Sequence, residues 1–290
     1  MQSYTPLRYP GGKGRLAEWM VRALRHNGLL GGWYAEPYAG GAGVAMLLLV
    51  QEHVNHVVIN DADPGVHAFW RAVTECPREM MHLVREARLN IDEHHRQRAI
   101  YRTPEGRDFL ELGFATLYLS RTSRSGILLG GPIGGKKQGG KYKIGARFNK
   151  EAIIRKIRLI SMLRTRISVH GLDAEDFFDE VVPELPQRSL LYLDPPYFRN
   201  ARRLYKNYYR AEDHARLANR IKELSRPWVL TYDMCDEVQQ LYDGCGMTAF
   251  SIYYSANNDA RGQGSELMVW GGGFEPPCVP YATRRTLLKA

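Results

Sequence analysis

No stretch of this chain is apolar enough for long enough to span a bilayer. The longest apolar run, Val44 to Val50, is only about a third of the ~20 residues a membrane helix needs. The opening residues, Met1-Gln2-Ser3-Tyr4-Thr5, lack the basic start and apolar stretch of a secretory signal, so a cytoplasmic location without a membrane partner is expected. Cysteine is scarce. Cys76, Cys235, Cys245 and Cys278 form no C-x-x-C pair and have no histidines at zinc spacing, so neither a metal site nor a disulfide framework is expected. No internal repeat is present, which excludes a solenoid. Acidic residues are missing altogether from Arg121 to Lys150. What remains is 290 residues with a formal charge of +9, enough for one large α/β domain or a domain with a sizeable insertion. Such a balance fits a polyanionic partner, provided the charge is concentrated in one place.

Apolar runs of strand length alternate with helical patterns at both ends of the chain. Trp33 to Pro37 predicts a strand, Val44 to Gln51 a helix after a glycine-rich turn, and His56 to Asn60 a second strand, together one β-α-β unit. From Pro64 to Arg166 the pattern becomes mainly helical, with helices expected within Arg78–Ala99 and Gly106–Thr122 and over Lys150–Leu163. His94-His95 reads as part of a polar helix face. Strands return at Ile167–His170, Leu190–Leu193 and Trp228–Thr231, then as a terminal pair, Thr248–Tyr254 and Leu267–Trp270. The expectation is one α/β sheet over 1–63 and 165–270, a helical insertion over 64–164, and a loosely ordered tail over 271–290.

Asp194-Pro195-Pro196-Tyr197 follows the buried-strand pattern Leu190 to Leu193, and the prolines end that strand abruptly. A carboxylate, a rigid turn and an aromatic ring are thereby delivered at a strand's carboxyl end, where open α/β sheets build their sites. An amino group conjugated to a heteroaromatic ring is a poor nucleophile, because its lone pair is delocalised. Two acceptors on its N–H bonds pull the nitrogen toward tetrahedral geometry. Asp194 can supply one and the Pro195 carbonyl the other, while Tyr197 offers a stacking face.

Upstream, Glu36-Pro37-Tyr38-Ala39-Gly40-Gly41-Ala42-Gly43 lies between strand and helix, where glycines admit a close ligand and the helix start offers free N–H groups. The strict dinucleotide fingerprint is absent, since Met46 occupies its third glycine position counted from Gly41. Asp61, at the end of the next strand, suits ribose hydroxyls or, with Asp63, a helix cap before Pro64. Arg8-Tyr9-Pro10-Gly11-Gly12-Lys13 combines a tight turn, a stacking ring and an ammonium able to reach a carboxylate, a set that suits the methionyl tail of S-adenosylmethionine.

Tyr9-Pro10-Gly11-Gly12-Lys13, Glu36-Pro37-Tyr38-Ala39-Gly40, Asp61 and Asp194-Pro195-Pro196-Tyr197, in that order, resemble the Dam-type DNA adenine-N6 methyltransferases of bacteria and phages, over about residues 6 to 270. The resemblance implies a Rossmann-like S-adenosylmethionine-dependent methyltransferase sheet, a helical target-recognition insertion, and a methyl transfer to N6 of a flipped adenine in double-stranded DNA. It also implies cofactor contacts from Tyr9, Lys13, Asp61 and Asp194, a pocket lined by Pro37 and Gly40, and Asp173 near the cofactor's adenine. Many relatives have tryptophan where this chain has Tyr9; stacking survives that change.

Arg121, Arg124, Lys136, Lys137, Lys141, Lys143, Arg147 and Lys150 share their stretch with eight glycines. A loop so cationic reads as following phosphates, and it coincides with the recognition region of the family it resembles. Arg121-Thr122-Ser123-Arg124-Ser125 resembles the turn that enters DNA there, although relatives carry an aromatic residue and asparagine at the positions of Arg124 and Ser125. A second basic cluster, including Arg202 interleaved with Tyr205, suits an unstacked base and its flanking phosphates. Cytosine-N4 poses the same chemical problem as adenine-N6, and RNA or glutamine N-methylation could use a similar strand-end motif. The basic insertion argues against a protein amide, and the intact Asp194 motif with Lys13 argues against a catalytically idle DNA-binding fold.

Overall fold

The computed structural model describes residues 3–11, 13–198, 210–253 and 263–278, leaving aside the side chains at 15, 251–253 and 263–264. Seven strands form one sheet: β1 (Trp33–Glu36), β2 (His56–Asn60), β3 (Ile167–His170), β4 (Ser189–Leu193), β5 (Trp228–Asp233), β6 (Gly246–Tyr253) and β7 (Gln263–Gly271). Their spatial order is β3-β2-β1-β4-β5-β7-β6. The first five are parallel, and β7 enters antiparallel between β5 and β6, with Asp233 opposite Glu266. The order reverses between β1 and β4, so a crevice opens at their carboxyl ends.

Burial on both faces explains why the central strands are near-continuous apolar runs rather than alternating ones. Ser189 to Leu193 is buried at every position. Tyr34, Leu190 and Tyr192 face one core, shared with α1 (Ala17–His26), α2 (Gly43–Val50), α3 (Pro64–Glu75), α4 (Pro77–Glu86), α5 (Ile91–Arg102), α6 (Phe109–Thr122) and α7 (Lys150–Met162). Ala35, Leu191 and Leu193 face the other, with α8 (Ala174–Glu180) and α9 (Ala211–Lys222). The result is a three-layer α/β/α domain, the fold class expected. The helical segment has no core of its own: Trp70, Tyr118 and Ile157 belong to the cluster that also holds the sheet residues Tyr34 and Tyr192.

Three expectations need correction. The pattern from Arg78 to Ala99 is two helices separated at 87–90, where the Asn90 side chain accepts from the Glu93 N–H and starts α5. His94 is not on a polar face; it is fully buried, with its ring nitrogen Nε2 3.2 Å from Ser123 Oγ. Residues 271–278 of the tail pack on the domain, because Phe274 is buried against Trp19, whose indole N–H donates to the Cys278 carbonyl at 2.7 Å. No helix among the described residues is long and apolar enough to cross a membrane.

Candidate active site

A cleft of about 780 Å³ opens at the crevice between β1 and β4. Tyr9, Lys13, Gly40, Asp61, Asp173 and Asp194 all line it. Pro37 does not; its carbonyl instead accepts from the buried Asn60 amide at 3.0 Å. That amide also donates to the Leu172 carbonyl and its oxygen accepts the Leu172 N–H, so Asn60 ties together the carboxyl ends of the first three strands.

The glycine turn has the geometry its residues require. Gly40 lies at φ +45°, and a Cβ there would stand 2.8 Å from the Tyr9 ring, so the aromatic packs directly on the turn. Asp61 accepts the Gly40 N–H at 2.7 Å and the Asp63 N–H at 2.9 Å. Asp63 is the helix cap, accepting from the Gly65 and Val66 N–H groups, and both it and Asp61 line the cleft. Burial, with Asp63 adding to it, pushes the Asp61 carboxyl up to about 7. Glu36, buried on β1, accepts the Ala45 N–H at 3.1 Å and is pushed by burial to about 8, so it is largely protonated at neutral pH. Asp173 caps α8 through the Glu175 N–H.

Beside the cleft the Asp194 motif meets Lys13 and β7. Thr231 Oγ1 donates to Asp194 Oδ1 at 3.0 Å. Its single hydrogen is thereby used, so the Tyr192 hydroxyl, 2.8 Å away, donates to Thr231. Lys13 Nζ lies 3.3 Å from Asp194 Oδ1, 2.8 and 2.9 Å from the two Glu266 oxygens, and 2.6 Å from the Tyr197 hydroxyl. That hydroxyl in turn donates to Glu266. Burial alone would lower the Lys13 ammonium, but Asp194 and Glu266 together hold it above its ordinary value. The Asp194 side chain keeps 22 % of its surface exposed; burial pushes its carboxyl to about 6, with Lys13 opposing the rise and Glu266 adding to it.

Lys13 lines the cleft and is also paired within the protein. Its ammonium meets Glu266 and the Tyr197 hydroxyl and so ties the Asp194 motif to β7. Four members, Glu266, Thr231, Tyr192 and Asn60, were not anticipated from sequence. Glu266 carried a signal: an acid inside the strand run Glu266-Leu267-Met268-Val269 is buried only when paired.

The basic loop is more ordered than its glycine content suggests. Gln138 Nε2 donates to the Ile133 and Gly135 carbonyls, and its Oε1 accepts the Ile144 N–H. Arg124, Lys136, Lys137, Lys141, Lys143 and Arg147 are exposed, as is Tyr142, whose ring lies under Lys141. Arg121 and Ser123, expected on DNA, face inward instead. Arg121 donates to the Pro6 carbonyl, and burial lowers its guanidinium to about 10. Ser123 is fully buried, bridged to Pro132 and hydrogen-bonded to His94. Ser125, at φ +56°, is a half-buried turn residue beside Gly126, and Ile127 to Gly130 beyond it line the cleft. Arg202 and Tyr205 lie outside the described residues.

A family model for D12 class N6 adenine-specific DNA methyltransferases matches residues 9–258 of the chain. No curated protein matches it. Among solved structures, the rRNA methyltransferase aviRa from Streptomyces viridochromogenes is 13% identical, over 91% of this chain and 87% of that one, with a TM-score of 0.42, a likeness too loose to carry an argument.

Proposed function

The chain belongs to the D12 class of N6 adenine-specific DNA methyltransferases, and from that premise we propose that it acts on an adenine flipped out of double-stranded DNA and held by Asp194, the Pro195 carbonyl and Tyr197. The enzyme methylates adenine N6 in DNA with S-adenosylmethionine as donor. The donor supplies a methyl group activated by a neighbouring sulfonium. The cleft fits it: a glycine turn at its wall, an acidic side chain at the β2 end, and the carboxyl groups of Asp173 and Asp194 among its lining residues. Tyr9, Gly40, Asp61 and Asp173 would hold it.

A paired adenine cannot present N6 to a cleft in a protein, so the base must leave the stack. Tyr197 then offers its ring, and Asp194 and the Pro195 carbonyl accept the two N–H bonds, restoring the nitrogen's lone pair. Catalysis rests on positioning and on preorganised acceptors, with no covalent intermediate on the enzyme. The 64–164 segment serves target recognition, and Arg124, Lys136, Lys137, Lys141, Lys143 and Arg147 follow the phosphates.

The observation that carries this reading is that Asp194, fixed by Thr231 and Lys13, lines the same cleft as the Gly40 turn. The test is methylation of duplex oligonucleotides, followed by nucleoside analysis and mapping of modified positions. N6-methyladenine at a defined sequence is expected. Modification restricted to unpaired DNA would remove base flipping from the account, and N4-methylcytosine would replace the substrate.

A further inference from the structure

We infer that Glu266 on β7 is a positioning residue for the transfer, acting as the closer counterion that limits Lys13 to a longer, weaker pairing with Asp194. The inference rests on the adenine reading above and deepens it. Lys13 meets both Glu266 oxygens at 2.8 and 2.9 Å but Asp194 only at 3.3 Å, so its main ion pair is with β7 and not with the motif. Glu266 is buried at 1 %, its side chain screened from water, so the pairing persists in salt. Without that carboxylate, an ammonium buried beside Asp194 has one anion left to move toward. It would then take up the oxygen that the amine of the base needs.

Glu266 also accepts the Tyr197 hydroxyl and so fixes the ring at the other end of the motif. One side chain thus sets both functional ends, Asp194 through Lys13 and Tyr197 directly. The antiparallel insertion of β7 makes this possible, because it places Glu266 opposite Asp233 of β5, two residues beyond Thr231. Around Asp194 the described titratable and polar groups are Lys13 from the amino-terminal segment, Glu36 and Tyr34 from β1, Tyr192 from β4, Thr231 from β5, Glu266 from β7, and Tyr197. Lys13 and Glu266 are the charged pair among them, and they act on Asp194 with opposite signs.

The experiment compares E266Q and E266D with the wild type, as full chains, by thermal unfolding and by turnover on duplex DNA across pH. E266Q keeps the shape and a hydrogen-bond acceptor but loses the charge. Turnover should fall about 10- to 100-fold, as for partners that orient a reacting group, with little change in KM for DNA. The acidic limb of the rate, governed by Asp194, should move roughly one pH unit lower, because a charge that raises the Asp194 carboxyl is gone and Lys13 closes on it. E266D retains the charge, so its acidic limb should stay at the wild-type position while turnover falls several-fold. Wild-type turnover in either variant would overturn the inference. So would an unmoved limb in E266Q, or a limb in E266D displaced as far as in E266Q. If E266Q fails to fold, E266D alone decides. Absence of N6-methyladenine from the wild-type reaction would defeat the functional reading instead, which separates the two failures.

Discussion

Beside Asp194, Lys13 and Glu266 are buried, each within hydrogen-bond or ion-pair distance of a partner. In the loop from Arg124 to Arg147, six exposed cations share a segment with no acid, and their order comes from Gln138 and turn backbone rather than from ion pairing. The two regions use charge in opposite ways. In the first, charge is buried, so each group's position and protonation are set by named neighbours, and moving one atom alters the chemistry. In the second, charge is solvated, so what counts is its sum along a polyanion and its sensitivity to salt. On the proposed reading, positioning belongs to the buried cluster and attraction to the loop.

If that division is right, D194A gives the largest effect. Methylation should fall by roughly 10²- to 10⁴-fold, the range for losing a preorganised group at a reacting atom. Lys13 keeps Glu266 as its partner, so the fold and DNA affinity should persist, measured by thermal unfolding and by a DNA-binding titration. Lost DNA affinity would blur the two regions into one. Next in size is the loop: K136Q with K137Q should weaken DNA binding and reduce the slope of log K against log salt by about 1.8, with turnover at saturating DNA unchanged. An unaltered slope would free these lysines from any phosphate.

A smaller effect is expected where the loop meets the amino-terminal segment. Gly126 lies at φ +77°, and a Cβ there would stand 2.4 Å from the Arg8 carbonyl. G126A should therefore lower stability by on the order of 1–3 kcal/mol and loosen the cleft wall at Ile127 to Gly130, read by thermal unfolding and donor affinity. The smallest is a pH effect at Glu36. Its carboxyl is raised in the fold to about 8, so the stability it contributes is full below its unfolded pKa and is lost as pH rises through about 8. E36Q, which still accepts the Ala45 N–H, should unfold at progressively higher temperature than the wild type between pH 6 and 9. A constant difference across that range would mean that Glu36 does not titrate there.

The same contrast decides what was legible in the sequence. The strand-end motifs were readable because prolines and glycines punctuate strands locally: Asp194, Gly40 and Asp61 sit where the flanking residues put them. The pairing of Lys13 with Glu266 was not legible, because Glu266 arrives from the far end of the chain on a strand inserted antiparallel. No local pattern encodes that meeting. Asn60 escaped notice for the same reason, since its three hydrogen bonds join segments up to 112 residues apart. In the loop, composition revealed the charge but not the fold. Arg121 and Ser123 looked like their exposed neighbours, and only packing against Pro6 and His94 turns them inward.

The most direct test is nucleoside analysis of duplex DNA incubated with S-adenosylmethionine and either the wild-type chain or D194A. The account requires N6-methyladenine from the wild type and almost none from the variant. N4-methylcytosine from the wild type, or equal N6-methyladenine from both, would contradict it.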